Sequence, residues 1–197
     1  MTSRFYRIKD EVRILGLDDG PFKRGDTEVI VVGTVFRGGS FLDGVLSTKV
    51  GVDGLDATDK VVELASGMRF KDVRVVMLDG LAFGGFNLVD INRLYRETKL
   101  PVIVVVRVKP DFEEIKKALE HLPDKEARWR LIEKVGSVKT VQTKPGKKIF
   151  IQFAGIKEED AREIVKLSST RSLIPEPIRV AHLIAQGIVL GESKGKA

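Results

Sequence analysis

Cysteine is absent from the 197 residues, and only two histidines, His121 and His182, are present. The first absence excludes disulfides and thiolate-held metals. The second leaves any zinc site dependent on carboxylates. No apolar stretch reaches the roughly 18 residues that a membrane span needs. The first residues, Met1-Thr2-Ser3-Arg4-Phe5-Tyr6-Arg7, lack the apolar core of a secretory signal. A cytoplasmic chain with no membrane partner is therefore expected. Internal repeats, low-complexity stretches and long linkers are missing too, which favours a single domain over residues 1–190 with a flexible tail over 191–197. What is present is a globular balance, 43% hydrophobic and 31% charged, in a chain long enough for a real core. The net charge of +6 favours polyanionic partners, nucleic acid among them.

Hydrophobic period divides the chain into elements. Residues 11–17, Glu28 to Phe36 and Leu42 to Val50 read as three strands, with Arg37-Gly38-Gly39-Ser40 as the turn of an antiparallel hairpin. The period then changes. Val61, Val62, Leu64, Ala65 and Met68 form a helical stripe over Thr58 to Met68, with Asp56 or Thr58 as N-cap. A strand over Val73 to Leu78, a helix over roughly Leu88 to Thr98 and a strand over Val102 to Val106 follow. The last of these is apolar on both faces and so central in its sheet. Helices are expected over Asp111–Leu122, Pro123–Val135, Lys157–Ser168 and Pro177–Leu190, with a hairpin over Val138–Thr143 and Ile149–Phe153. Three antiparallel strands followed by two parallel strands with right-handed crossover helices is the order of a ribonuclease H-like α/β fold. That fold sets the first and fourth strands side by side.

Two strand ends then acquire meaning together. Val12 to Gly20 and Val73 to Gly80 each run from β-branched residues into Asp-Gly. Taken singly, an Asp-Gly is an ordinary turn. Side by side, Asp18 and Asp79 would place two carboxylates at one sheet rim, where like charges repel unless a cation lies between them. Hard divalent ions, Mg²⁺ or Mn²⁺, take oxygen ligands of this kind.

Three stretches resemble endonuclease V, a ribonuclease H-like nuclease acting at deaminated bases, and within its relatives a small, mostly archaeal branch. They are Leu15-Gly16-Leu17-Asp18, then Val76 to Gly80 with Leu81-Ala82 and Phe86, and, most specific, Ser169 to His182 with its Pro175-Glu176-Pro177 core. The resemblance implies a metal-dependent endonuclease cutting phosphodiesters in DNA or RNA, at damaged or modified nucleotides, with Asp18, Asp53 and Asp79 as catalytic ligands. Asp53 follows the third strand, near the family's glutamate. Asp56 is its rival as third ligand and also a good helix cap. Asp19 reads as an outer ligand or, better, a turn residue. The family's active-site lysine falls on Arg107. The aromatic wedge and loop histidines of the family have no counterparts in Thr48–Gly54 and Asp79–Phe86.

Further candidates surround this core. Arg107 and Lys109, just past the fifth strand, and more weakly Lys49, are candidates for holding phosphate. Amides of Gly84 and Gly85 are candidates for facing an anion at a helix N-terminus, although no Walker-type Gly-Lys-Ser/Thr follows. Phe83 and Phe86 offer rings for stacking on a base or for the core, with core favoured for Phe86. Lys144, Lys147 and Lys148 cluster at a hairpin tip, either as a phosphate contact or as a solvated turn. Trp129 reads as a core or dimer contact, Arg171 or Arg179 as a partner for Glu176, and His182 as packed. A homodimer is left open. Two alternatives stand beside the nuclease: a nucleic-acid-binding module on the same fold without catalysis, and a small-molecule phosphohydrolase, which would need an enclosed pocket.

Overall fold

A computed structural model describes residues 7–193. Seven strands form one mixed sheet in the order β3-β2-β1-β4-β7-β9-β8. Its strands are β1 (Arg13–Asp19), β2 (Glu28–Arg37), β3 (Phe41–Gly51), β4 (Val75–Asp79), β7 (Val102–Val106), β8 (Lys139–Lys144) and β9 (Lys147–Ala154). β5 (Ala82–Phe83) and β6 (Asn87–Leu88) make a separate two-stranded ladder. The helices are α1 (Ala57–Gly67), α2 (Ile91–Thr98), α3 (Phe112–Leu119), α4 (Lys125–Lys134), α5 (Glu158–Ser168) and α6 (Glu176–Leu190). No helix among the described residues is long and apolar enough to cross a membrane.

The β1–β2–β3 meander is antiparallel, while β1–β4 and β4–β7 are parallel, as the reading of the sequence requires. Side chains alternate across a strand, so the buried runs in β1, β4 and β7 serve two cores at once. Leu15, Leu17, Val76, Leu78, Val102 and Val104 pack under α1 and α2 on one face. Ile14, Val75, Met77, Ile103 and Val105 pack with α5 and Ile178 of α6 on the other. Each fully buried Val, Leu or Ile contributes about 1.5–3 kcal/mol.

The differences from expectation are local. Leu88 belongs to β6, not to a helix; α2 starts at Ile91, where the Asp90 carboxylate accepts from the backbone N–H groups of Asn92 and Arg93. Of the expected tail, 194–197 lies outside the described residues, and 191–193 is neither helix nor strand.

Candidate metal and nucleic-acid site

Parallel pairing of β1 with β4 ends at Leu17 opposite Leu78, so Asp18 and Asp79 stand one residue further along neighbouring strands. Both are largely buried. Burial pushes Asp18 up to about 7, against the pull of its hydrogen bond with His182, and the charges of Asp79 and Asp19 push it the same way. Asp79 is also raised by burial, with Arg107 and His182 pulling it back. The Arg107 guanidinium lies 3.4 Å from Asp79 Oδ2 and is 40% exposed, so it faces both the acid and the solvent.

Asp18 and Asp19 diverge because neighbouring residues of a strand face opposite sides of the sheet. Asp18 turns to α6, where its Oδ2 lies 2.7 Å from His182 Nδ1, and Oδ1 accepts the Asp19 N–H. His182 Nε2 lies 3.0 Å from the Gln186 amide nitrogen. An amide nitrogen only donates, so in the neutral ring Nε2 accepts and Nδ1 carries the proton given to Asp18. Beside the Asp18 carboxylate the His182 pKa is raised. Asp19 turns instead to the loop after β4, where its Oδ2 accepts the Gly84 N–H at 2.7 Å.

The Pro-Glu-Pro stretch sets α6 in this place. A Cβ on Gly16 would overlap the Pro177 backbone, so only glycine lets the helix settle this closely on β1. Thr34 Oγ1 donates to Pro177 O at 2.6 Å from the next strand. Glu176 is buried and accepts from the Arg179 guanidinium and the Arg171 N–H. Thus the residues of that stretch are structural, while His182, read as packed, faces Asp18.

The other expected site residues spread out. Asp53 has a left-handed backbone (φ 50°) and is tied to the glycine loop: its N–H donates to Gly84 O, and its Oδ1 accepts the Phe86 N–H at 2.8 Å. A side chain on Gly85 would collide with that carboxylate. Asp56 Oδ1 accepts from Gly51 N–H and from the Asn87 amide, a clasp between loops. It occupies the cap position of α1 without a side-chain cap bond. Gly84 does face an anion, but the anion is the chain's own Asp19, and a β-ladder rather than a helix follows. Phe83 is fully buried in the α1–α2 core, which corrects the stacking expectation for that ring. Lys49 pairs with Glu28 at the sheet edge, while Lys109 is exposed past β7. Among the described residues no three His, Asp or Glu side chains are grouped closely enough to enclose an ion.

Two features were not foreseen. Arg128 on α4 is 2% exposed, and its guanidinium donates to the carbonyls of Asp53, Gly54 and Phe86, joining both loops that flank the acids. Its Nε is buried with no partner among the described residues. The signal was in the spacing, since Arg128 lies four residues before buried Ile132 on the inner stripe of α4. The second feature is a cleft of about 280 Å³, lined by Leu81, Leu88, Val104, Val106, Ile132 and Gln152 among others; Val104 and its partner Gln152 stand on the sheet face opposite that of Asp79 and its partner Val105. Leu81 lies two residues past Asp79, and Val106 immediately precedes Arg107.

The family model described as endonuclease dU matches residues 10–189. A UPF0215 protein of Methanothermobacter thermautotrophicus is 56% identical over 196 residues, covering 98% of this chain and 95% of that one. A UPF0215 protein of Pyrococcus furiosus is 46% identical over 192 residues, covering 95% and 97%. A crystal structure of a protein of unknown function from Archaeoglobus fulgidus superposes with a TM-score of 0.81 at 42% identity, covering 90% of this chain and 98% of that one. The catalytic domain of human endonuclease V gives 0.57 at 17% identity, covering 91% and 85%. Endonuclease V of Ciona intestinalis, in complex with DNA containing an inosine followed by a ribo-adenosine, gives 0.56 at 19%, covering 86% and 82%. The architecture is thus the ribonuclease H-like one of endonuclease V.

Proposed function

Because this chain belongs to the endonuclease dU family, we propose that it is a divalent-metal-dependent endonuclease that cuts a phosphodiester at a deaminated nucleotide, deoxyuridine in DNA first, in the repair of deaminated DNA. The observation that carries this reading is the meeting of Asp18 and Asp79 at one rim, both raised in pKa by burial, beside the half-exposed Arg107. Two buried carboxylates that resist ionisation are a donor set short of positive charge. Mg²⁺ commonly takes only one or two protein carboxylates and completes its shell with water and substrate oxygens. The residues therefore fit Mg²⁺ or Mn²⁺, held by Asp18 and Asp79. Asp53 is the third acid, because it is exposed and its Oδ2 carries no hydrogen bond among the described residues.

When bound, such an ion supplies a water of lowered pKa and screens the charge on phosphate. The chain's own residues do the rest. His182 fixes the Asp18 carboxylate and Gln186 fixes the ring. Arg107 can turn from Asp79 to the scissile phosphate, where a guanidinium offers two parallel donors. The apolar cleft, whose lining includes Leu81 two residues past Asp79 and Val106 just before Arg107, suits an unstacked base, since an enzyme acting at one nucleotide must take it out of the stack.

A specific observation favours a second reading, a binding module without catalysis: one oxygen each of Asp56 and Asp53 is bound to loop groups of the chain itself. One assay decides between them. A duplex carrying a single dU, incubated with Mg²⁺ or Mn²⁺, is expected to be nicked by the native chain and left intact by Asp79→Asn. Nicking that persists in that variant removes the acids from the mechanism, and dU-specific binding without nicking favours the module.

A further inference from the structure

Gln152, on β9, is the residue of the apolar cleft whose polar atoms the fold leaves half used. It is 7% exposed. Its Nε2 donates to Gly136 O at 2.8 Å, the backbone just past α4. A carbonyl can only accept, so this bond fixes which way the amide points. Nε2 is spent on the protein, and Oε1, without a hydrogen bond among the described residues, is the acceptor left to the cleft. The walls around it are apolar, aliphatic at Leu81, Val104, Val106 and Ile132 and aromatic at Phe86 and Phe112. Oε1 is not among the described buried atoms left without a partner, so it is open to water. A ligand that donates to Oε1 replaces that contact, whereas one that presents a lone pair there leaves the acceptor buried and unpaired, at a cost of about 1–3 kcal/mol, and adds repulsion.

We propose that Gln152 is a specificity-determining residue that selects, by accepting a hydrogen bond, bases carrying a ring N–H beside a carbonyl. This rests on the reading of the cleft as the seat of an unstacked base. Hydrolytic deamination makes that very change at the ring nitrogen: cytosine N3 is a bare acceptor and uracil N3–H a donor. Adenine N1 and hypoxanthine N1–H differ in the same sense. An acceptor fixed by the fold thus rejects cytosine and adenine by leaving two lone pairs face to face. Thymine N3–H and guanine N1–H share the donor beside a carbonyl and are not sorted by this contact. Their exclusion falls to the cost of extrusion, which is least for a mispaired base such as uracil opposite guanine. A volume of about 280 Å³ lies at the small end of ligand sites, which suits one base and no more.

The test is a cycle between residue and base, read as binding. Single-stranded oligonucleotides carrying one 2′-deoxyuridine, its N3-methyl analogue or deoxycytidine are titrated by fluorescence anisotropy in EDTA. The native chain is expected to prefer uracil over both others by roughly 10- to 100-fold, the loss that follows when a buried acceptor stays unpaired. In Gln152→Met, which keeps the volume, the preference is expected to fall below about 3-fold. Because the readout is a ratio within one protein, a smaller folded fraction of the variant does not change it. Equal binding of uracil and N3-methyluracil by the native chain overturns the proposal without any variant. So does an undiminished preference in Gln152→Met. If the native chain nicks at dU but binds N3-methyluracil equally well, this inference fails and the nuclease reading stands. Preference for uracil without nicking is the opposite result.

Discussion

Asp18→Asn tests whether the acid pair is held together against electrostatic resistance. Burial and the charges of Asp79 and Asp19 place Asp18 at about 7 despite the His182 bond. The same carboxyl in an unfolded chain titrates near ~3.9. At 1.36 kcal/mol per unit, a gap of roughly three units costs the fold about 4 kcal/mol once the pH exceeds 7. The sign follows from the raised folded value. Between about pH 4 and 7 the folded state keeps a proton that the unfolded state gives up, so the native chain loses stability as the pH climbs through that window. His182 acts in the same direction. Its raised pKa is a stabilisation present below its ordinary value and lost as pH rises through the folded one. Asn keeps the shape and drops the charge, at the loss of a charge-assisted bond to His182 worth about 1.5–3 kcal/mol.

The net gain for Asp18→Asn at pH 8 without divalent ions is then about 1–2.5 kcal/mol. For a chain of this length it corresponds to a rise in Tm of roughly 2–10 °C. At pH 5 the native carboxyl is already protonated in the fold, the charge cost shrinks to about 1.5 kcal/mol, and the gain is expected to vanish or reverse. Urea denaturation at the two pH values measures both numbers. Nicking activity should be lost in the same variant. A variant no more stable than the native chain at pH 8, or a gain equal at both pH values, would refute the claim that the site stores repulsion.

Arg128→Met strands the carbonyls of Asp53, Gly54 and Phe86 and is expected to cost about 2–4 kcal/mol in urea denaturation, with Arg128→Lys recovering only part. A loss under about 1 kcal/mol would mean that the guanidinium does not hold the loops. Pairing of Val106 with Phe150 puts the β8–β9 tip at the same end of the sheet as Arg107, so Lys144, Lys147 and Lys148 are expected to touch duplex phosphate. Replacing all three with Ala should make the slope of log K against log salt shallower by about 2–3, measured by anisotropy, and an unchanged slope would place the tip clear of the DNA.

What the sequence made legible was what each residue says about its immediate neighbours. Runs such as Val102–Val106 declare a covered strand by composition alone, and the switch from alternating to helical period at Thr58 declares the crossover. Once the strand order is known, the rim position of Asp18 and Asp79 follows, because parallel register is fixed by which faces must be buried. The two-residue strands β5 and β6 were illegible for the converse reason. A ladder of two pairs is too short to carry a period, and Leu88 looks like the start of a helical stripe until Asp90 is seen to cap the helix three residues later.

The site's remaining members depend on approaches between distant segments, for which a local pattern has no signature. His182 meets Asp18 across 164 residues of chain, and it does so because Gly16 has no side chain to hold Pro177 away. On α6 alone, His182 is one polar residue beside an apolar stripe, and packing is the better local reading. Asp53 and Asp19 were recognisable as acids, but not as ligands of backbone amides on a single loop. That role requires Gly84 and Gly85 to adopt positive φ and turn the N–H groups of Gly84 and Phe86 inward. The glycine loop therefore serves as an internal counterpart to the acids. It spends its donors on two carboxylates and leaves Asp18 and Asp79 with burial, each other, the Asp19 N–H and the side chains of His182 and Arg107. The charge left uncompensated at that rim falls on the two aspartates that the strand ends had already marked.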